Sequence, residues 1–192
     1  MSKGKCFSMV NKGQRKKSDF YQTPYSMTQH LLDNEEFEGT ILEPACGQKA
    51  IVDTLLKNEY KLHRLNYYDI GFGNNDFLCD TNYYDNIITN PPFYLSTEFI
   101  VKAKSLYRDK IAMLLPLNYL HGQKRYKLKI FDNLKTVYIF IRYPMLSDSI
   151  RDDGKYSTGM CVFAWFVWNK SWQGKPTIEW IDNNMDILKK GE

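Results

Sequence analysis

The sequence predicts an α/β architecture: a mostly parallel central sheet with helices on both faces and an antiparallel closing strand. Three observations predict it. Short β-rich apolar runs alternate with stretches of helical spacing along most of the chain. Several of these runs stop at proline, as in Glu43-Pro44, Asn90-Pro91-Pro92 and Pro116. The last two β-rich runs have no convincing helix between them, which reads as an antiparallel end to the sheet.

Element by element, Thr23 and Pro24 read as the cap and first position of a helix running through His30, Leu31 and Leu32. Thr40-Ile41-Leu42 enters a short strand ending at Glu43-Pro44-Ala45-Cys46-Gly47. Ala50, Ile51, Leu55 and Leu56 have helical spacing that closes near Asn58. Leu62 to Ile70 reads as a second strand, followed by a glycine- and asparagine-rich loop from Gly71 to Asn75. Asp85 to Thr89 is a third strand, Tyr94 to Tyr107 a helix with Phe99, Ala103 and Leu106 on one face, and Lys110 to Leu115 a buried strand. A basic helix is expected over Lys124 to Phe131, then β-rich runs at Thr136 to Ile141 and Met160 to Trp168, separated by a polar loop from Tyr143 to Gly159.

Composition limits what this chain can be. With 192 residues, 43% of them hydrophobic and 15% aromatic, it can bury a core, which excludes a disordered, collagen-like or coiled-coil protein. No apolar run approaches the ~20 residues that cross a bilayer, and Met1 to Lys17 lacks the apolar core of a signal peptide. Cys6, Cys46, Cys79 and Cys161 are scattered without paired spacing, which fits a reducing compartment. The expectation is a cytoplasmic chain with a basic tail over residues 1–18 and a single domain over 19–192. That tail carries Lys3, Lys5, Lys12, Arg15, Lys16 and Lys17 and no acid, so the net charge of +4 divides into +6 there and −2 elsewhere. Such a tail is either a phosphate grip or simply a solvated terminus.

In open α/β sheets, ligands sit beyond the carboxyl ends of the strands. At the first such end, Glu43-Pro44-Ala45-Cys46-Gly47 is either a nucleoside-binding turn or a plain strand-to-helix turn. Asp69, at the second, is either an acceptor for ribose hydroxyls or a surface aspartate. Asp76-Phe77 is either an acid and ring for an adenine or a turn carrying a core phenylalanine. Asn90-Pro91-Pro92-Phe93 is the sharper signal. Two prolines fix the backbone, so the Asn90 side chain and the Pro91 carbonyl can be held in one orientation beside an aromatic ring.

These motifs, in this order from Thr23-Pro24 to Asn90-Pro91-Pro92-Phe93, resemble those of Rossmann-like, S-adenosylmethionine-dependent N6-adenine DNA methyltransferases, in the gamma arrangement. The resemblance covers Phe20 to Ile181. It implies S-adenosylmethionine as cofactor, with no metal required. Tyr21, Gln22 and Thr23 would meet its methionine end; Glu43, Ala45 and Gly47 its amino-acid and ribose portion. Asp69 would take the ribose hydroxyls, Ile70 would pack on the adenine, and Asp76 with Phe77 would recognise that ring. Asn90, Pro91, Pro92 and Phe93 would form the catalytic motif, with Phe93 or Tyr94 stacking on the target base. One departure stands out: Lys49 occupies the place of a second glycine in a Gly-x-Gly loop.

The resemblance also implies DNA as partner, with the target adenine flipped out of a duplex. Large family members add a target-recognition domain, and none fits here. The expectation is therefore a compact enzyme of phage or mobile-element type. Lys124, Arg125 and Arg151 are candidate DNA contacts, together with the tail; a solvated helix face is the alternative for Lys124 to Lys129. RNA or a protein glutamine is an alternative acceptor for the same chemistry, and a catalytically silent nucleic-acid-binding subunit is an alternative of a different class.

Overall fold

The computed structural model describes residues 23–69, 76–141 and 162–182. Their apolar runs assemble one seven-stranded sheet: β1 (Ile41–Glu43), β2 (Leu65–Tyr67), β3 (Tyr84–Thr89), β4 (Tyr107–Pro116), β5 (Leu134–Phe140), β6 (Phe163–Asn169) and β7 (Thr177–Ile181). Their spatial order is β2-β1-β3-β4-β6-β5-β7. Every neighbouring pair is parallel except the two made by β6, which runs antiparallel to both β4 and β5. The antiparallel strand thus lies inside the sheet, and β7, paired in parallel with β5, closes that edge.

The described helices are α1 (Tyr25–Asn34), α2 (Ala50–Lys57), α3 (Ser96–Leu106) and the short α4 (Gln123–Lys127). They cover both faces, as a buried parallel sheet requires. Met27 and Leu31 of α1 and Ile51, Val52 and Leu55 of α2 pack with Ile88, Ala112, Leu114 and Trp165 on one face. Phe99, Ile100, Ala103 and Leu106 of α3 pack with Ile87, Ile111, Met113 and Phe166 on the other. Successive side chains point to opposite faces and both faces are covered, so Ile111 to Leu115 of β4 and Phe163 to Trp168 of β6 are buried without interruption. Each face is also pinned by an indole: Trp165 Nε1 donates to the Met27 carbonyl and Trp168 Nε1 to that of Ile130, both at 2.7 Å.

Two expected elements differ, and one strand is additional. The second strand is only Leu65–Tyr67, because Leu62–Arg64 coils into a 3-10 turn at the sheet edge. The basic helix expected over Lys124 to Phe131 ends at Lys127, and Lys129 then takes a left-handed backbone (φ 54°) that turns the chain inward at buried Ile130. Strand β7 was not expected at all. Of the two described cysteines, Cys46 is a free thiol. No described helix is long and apolar enough to cross a membrane.

At the amino ends of β4 and β5, Glu35 closes α1 with a buried ion cluster. Its carboxylate accepts from Lys110 Nζ and Lys135 Nζ, both at 2.9 Å, and from Tyr138 OH at 3.0 Å. Burial alone would raise its pKa. The lysine hydrogen bonds and charge outweigh that and hold it below the usual carboxylate value. Removing the acid strands two part-buried lysines, so Glu35→Ala is expected to cost about 3 kcal/mol in denaturant unfolding at pH 7. Because the folded-state pKa is depressed, this stability is present above the ordinary glutamate pKa and fades as pH falls through the depressed value. The wild-type advantage should therefore shrink only in acid.

Candidate functional site

From β1 the chain passes outward to β2 and then returns to lay β3 on the other side of β1. Strand order reverses between β1 and β3, and such a reversal opens a crevice beyond the strand ends. Glu43 ends β1 and Thr89 ends β3, so both stand at that crevice. Sequence reading singles out the first and passes over the second, whose partner Glu43 lies 46 positions away.

The Glu43 side chain lies inside, at 1% exposure. Its Oε1 accepts from Thr89 Oγ1 at 2.5 Å and from the Ala45 backbone N–H at 3.1 Å, while Oε2 is buried with no hydrogen-bond partner among the described residues. Desolvation pushes its pKa up to about 8; the two hydrogen bonds lower it and the nearby Asp69 charge raises it. A buried carboxyl with one oxygen unsatisfied is set to receive a hydrogen-bond donor.

The loop after β1 is held against the end of β2: Tyr68 N donates to the Glu43 carbonyl and Cys46 N to the Tyr68 carbonyl, both at 3.1 Å. That pairing brings Asp69 beside the Glu43–Gly47 turn. Gly47 (φ 48°) and Lys49 (φ 66°) both take left-handed backbone, so Lys49 keeps the conformation a second glycine would have had. Its Nζ lies 4.9 Å from the centre of the Tyr67 ring.

Beyond β3, Asn90 Nδ2 donates to Thr23 Oγ1 at 3.1 Å, joining the catalytic candidate to the segment before α1. Pro91 is buried, and the Pro92 carbonyl accepts from Leu95 N (2.9 Å) and Ser96 Oγ (3.0 Å), which starts α3. The Phe93 ring packs on Phe163 with centroids 5.4 Å apart, and Tyr94 is exposed. Tyr119 OH donates to the Phe93 carbonyl at 3.3 Å. The Arg125 guanidinium lies 3.9 Å over the Tyr119 ring and donates to the His121 carbonyl at 2.6 Å. Tyr119 and Phe163, neither singled out from sequence, thus form the wall behind the motif, and Arg125 is engaged in bracing it. Lys124 is exposed on α4 next to it.

The adenine-binding candidates fall differently. Asp76 Oδ1 accepts from Leu78 N at 3.0 Å and caps the 3-10 turn Phe77–Cys79. It lines an open hollow of about 570 Å³ with Tyr67, Tyr68 and Asp80. Phe77 is 2% exposed and packs on Phe99 at 4.8 Å, so its ring belongs to the core, the alternative that a turn phenylalanine left open. Tyr21, Gln22, Ile70, Arg151 and the basic tail lie outside the described residues. Among the described residues, no three His, Cys, Asp or Glu side chains are grouped to hold a metal ion.

The chain has a Rossmann-like fold, the one seen in the methyltransferases to which its structure is similar. It matches a Listeria monocytogenes protein assigned as a class I S-adenosylmethionine-dependent methyltransferase at 13% identity and TM-score 0.55, over 91% of this chain and 69% of that one. It also matches the M protein of the type I restriction enzyme EcoKI at 15% identity and TM-score 0.53, over 88% of this chain and 50% of that one. The methyltransferase subunit of a type I restriction-modification system from Streptococcus thermophilus is similar at 11% identity and TM-score 0.52, over 84% and 47%. At these identities the likeness is one of fold, and the chain spans about half the length of the two modification subunits. No family model matches the sequence, and no curated protein matches it.

Proposed function

We propose that this chain transfers the methyl group of S-adenosylmethionine to the exocyclic N6 amine of adenine in DNA. The observation that carries the reading is the juxtaposition at the crevice: buried Glu43, with Oε2 unsatisfied, stands one strand away from Asn90-Pro91-Pro92-Phe93. An orphaned carboxylate oxygen fits the ammonium of an amino-acid end, so the residues present suit that cofactor. Asp69 would take ribose hydroxyls, and Ala45 and Gly47 let the turn approach closely. Thr23, with Tyr21 and Gln22, would border the methionine end, and Ile70 and Asp76 the adenine.

When bound, S-adenosylmethionine supplies an electrophilic methyl on sulfur. The chain's own task is to make a poor nucleophile attack it. The adenine N6 lone pair is delocalised into the ring. Asn90 Oδ1 and the Pro91 carbonyl, each accepting one N–H, favour a pyramidal nitrogen whose lone pair is aimed outward. Their stabilisation grows as positive charge develops on that nitrogen, so it acts mainly in the transition state. Thr23 orients the Asn90 amide by accepting from Nδ2. Phe93, backed by Phe163, or exposed Tyr94 offers a ring for stacking on a flipped base, and Lys124 a charge for a phosphate.

The test is methyl transfer from radiolabelled S-adenosylmethionine offered separately to DNA, RNA and cell protein. Label in DNA adenine is the expected result. Label in RNA or in glutamine would move the acceptor, and no label with no cofactor binding would leave a silent module.

A further inference from the structure

We propose that Lys49 is a binding residue of the cofactor site, its ammonium receiving the carboxylate of the cofactor's amino-acid end; this rests on the reading above. Lys49 holds a left-handed backbone (φ 66°, ψ 20°) that side chains other than glycine adopt only at a cost. The conformation is fixed from both sides, since Lys49 N donates to the Cys46 carbonyl at 2.6 Å and its own carbonyl accepts from Asp53 N at 2.8 Å. Glycine would satisfy that backbone without strain. Lysine keeps the same path and adds a cation.

The cation stands where the site has an excess of acid. The side chain is exposed, yet its Nζ lies against the Tyr67 ring at the end of β2 rather than extending into solvent. Cys46, in the middle of the turn, feels the charges of Glu43, Asp69 and Lys49 together. Glu43 is buried, with an oxygen awaiting a donor. An amino-acid end carries its ammonium and its carboxylate on one and the same carbon. Glu43 suits the first and repels the second, so a neighbouring cation is what the pair of acids lacks. Lys49, at the carboxyl end of the same turn, provides it.

Calorimetric titration of the wild-type chain, Lys49→Gln and Lys49→Arg with two probes tests this: S-adenosylhomocysteine and its decarboxylated counterpart. Wild type should favour the carboxylate-bearing probe by about tenfold, Lys49→Gln should lose that preference, and Lys49→Arg should keep it. Unchanged S-adenosylhomocysteine affinity in Lys49→Gln, or equal weakening of both probes, would overturn the assignment. If wild type binds both probes equally, the cofactor reading stands and the lysine assignment falls. If wild type binds neither, both fall.

Discussion

Asn90→Ala is expected to reduce methyl transfer by at least about a hundredfold while leaving S-adenosylhomocysteine affinity within about twofold of wild type. Both parts follow from where Asn90 stands. It is the first residue beyond β3, and its amide is oriented by a 3.1 Å hydrogen bond to Thr23 Oγ1. Truncation removes an acceptor that stabilises charge developing on the attacking nitrogen, which is a transition-state effect. The carboxyl proposed for the cofactor's ammonium belongs to another strand and keeps its own partners, Thr89 and the Ala45 N–H. The motif's backbone is also held independently of the amide, through the Pro92 carbonyl and the Tyr119–Phe93 hydrogen bond. Single-turnover rates with calorimetric affinities separate the two effects. Equal turnover in the variant would sink the mechanism.

Glu43→Gln is expected to have the second largest effect, with opposite signs on binding and stability. A neutral amide in place of the carboxylate removes the charge proposed for the cofactor's ammonium, so S-adenosylhomocysteine affinity should fall about a hundredfold. Stability should move the other way. Burial raises the folded-state pKa of Glu43 from 4.5 to about 8, so the folded chain holds a proton that the unfolded chain releases across that window. Wild-type stability therefore declines as pH rises from about 4.5 to 8, whereas the glutamine variant escapes that decline. The variant should be more stable than wild type at pH 8, by on the order of 3 kcal/mol, and the difference should close towards pH 4.5. Thermal melts across that pH range check it. The same linkage predicts that ligand binding at pH 7 expels a proton from Glu43, visible as a dependence of calorimetric heat on buffer ionisation enthalpy.

What the sequence made legible follows from distance along the chain. Glu43, Asp69 and Asn90 were found because each stands at or just beyond a strand end, a position that depends on local patterning alone. The alternation that locates β3 also locates Asn90. By contrast, Thr89, Tyr119 and Phe163 act through contacts whose partners are 46, 26 and 70 positions away, to Glu43, Phe93 and Phe93 again. Nothing in their immediate neighbours announces that. Strand β7 escaped for the same reason: four of its five residues are exposed, and its pairing with β5 reaches back some forty residues. Phe77 shows the converse limit. An aromatic after an acid fits a ring-binding turn and a core turn equally well, and only its packing on Phe99 separates the two.

Arg125 sharpens the view of DNA contact. A basic stretch such as Lys124 to Lys129 suggests phosphate binding as a block, yet the Arg125 guanidinium bonds to the Asn118 and His121 carbonyls over the Tyr119 ring. Its neighbour Lys124 is exposed and available for a long-range electrostatic role. The central claim is nonetheless about chemistry on adenine. It is tested most directly by expressing the chain in a host that lacks adenine methylation and mapping modified bases in the host DNA. N6-methyladenine above background, absent with Asn90→Ala, is the predicted result; unmodified adenine in the presence of a folded, cofactor-binding protein would contradict it.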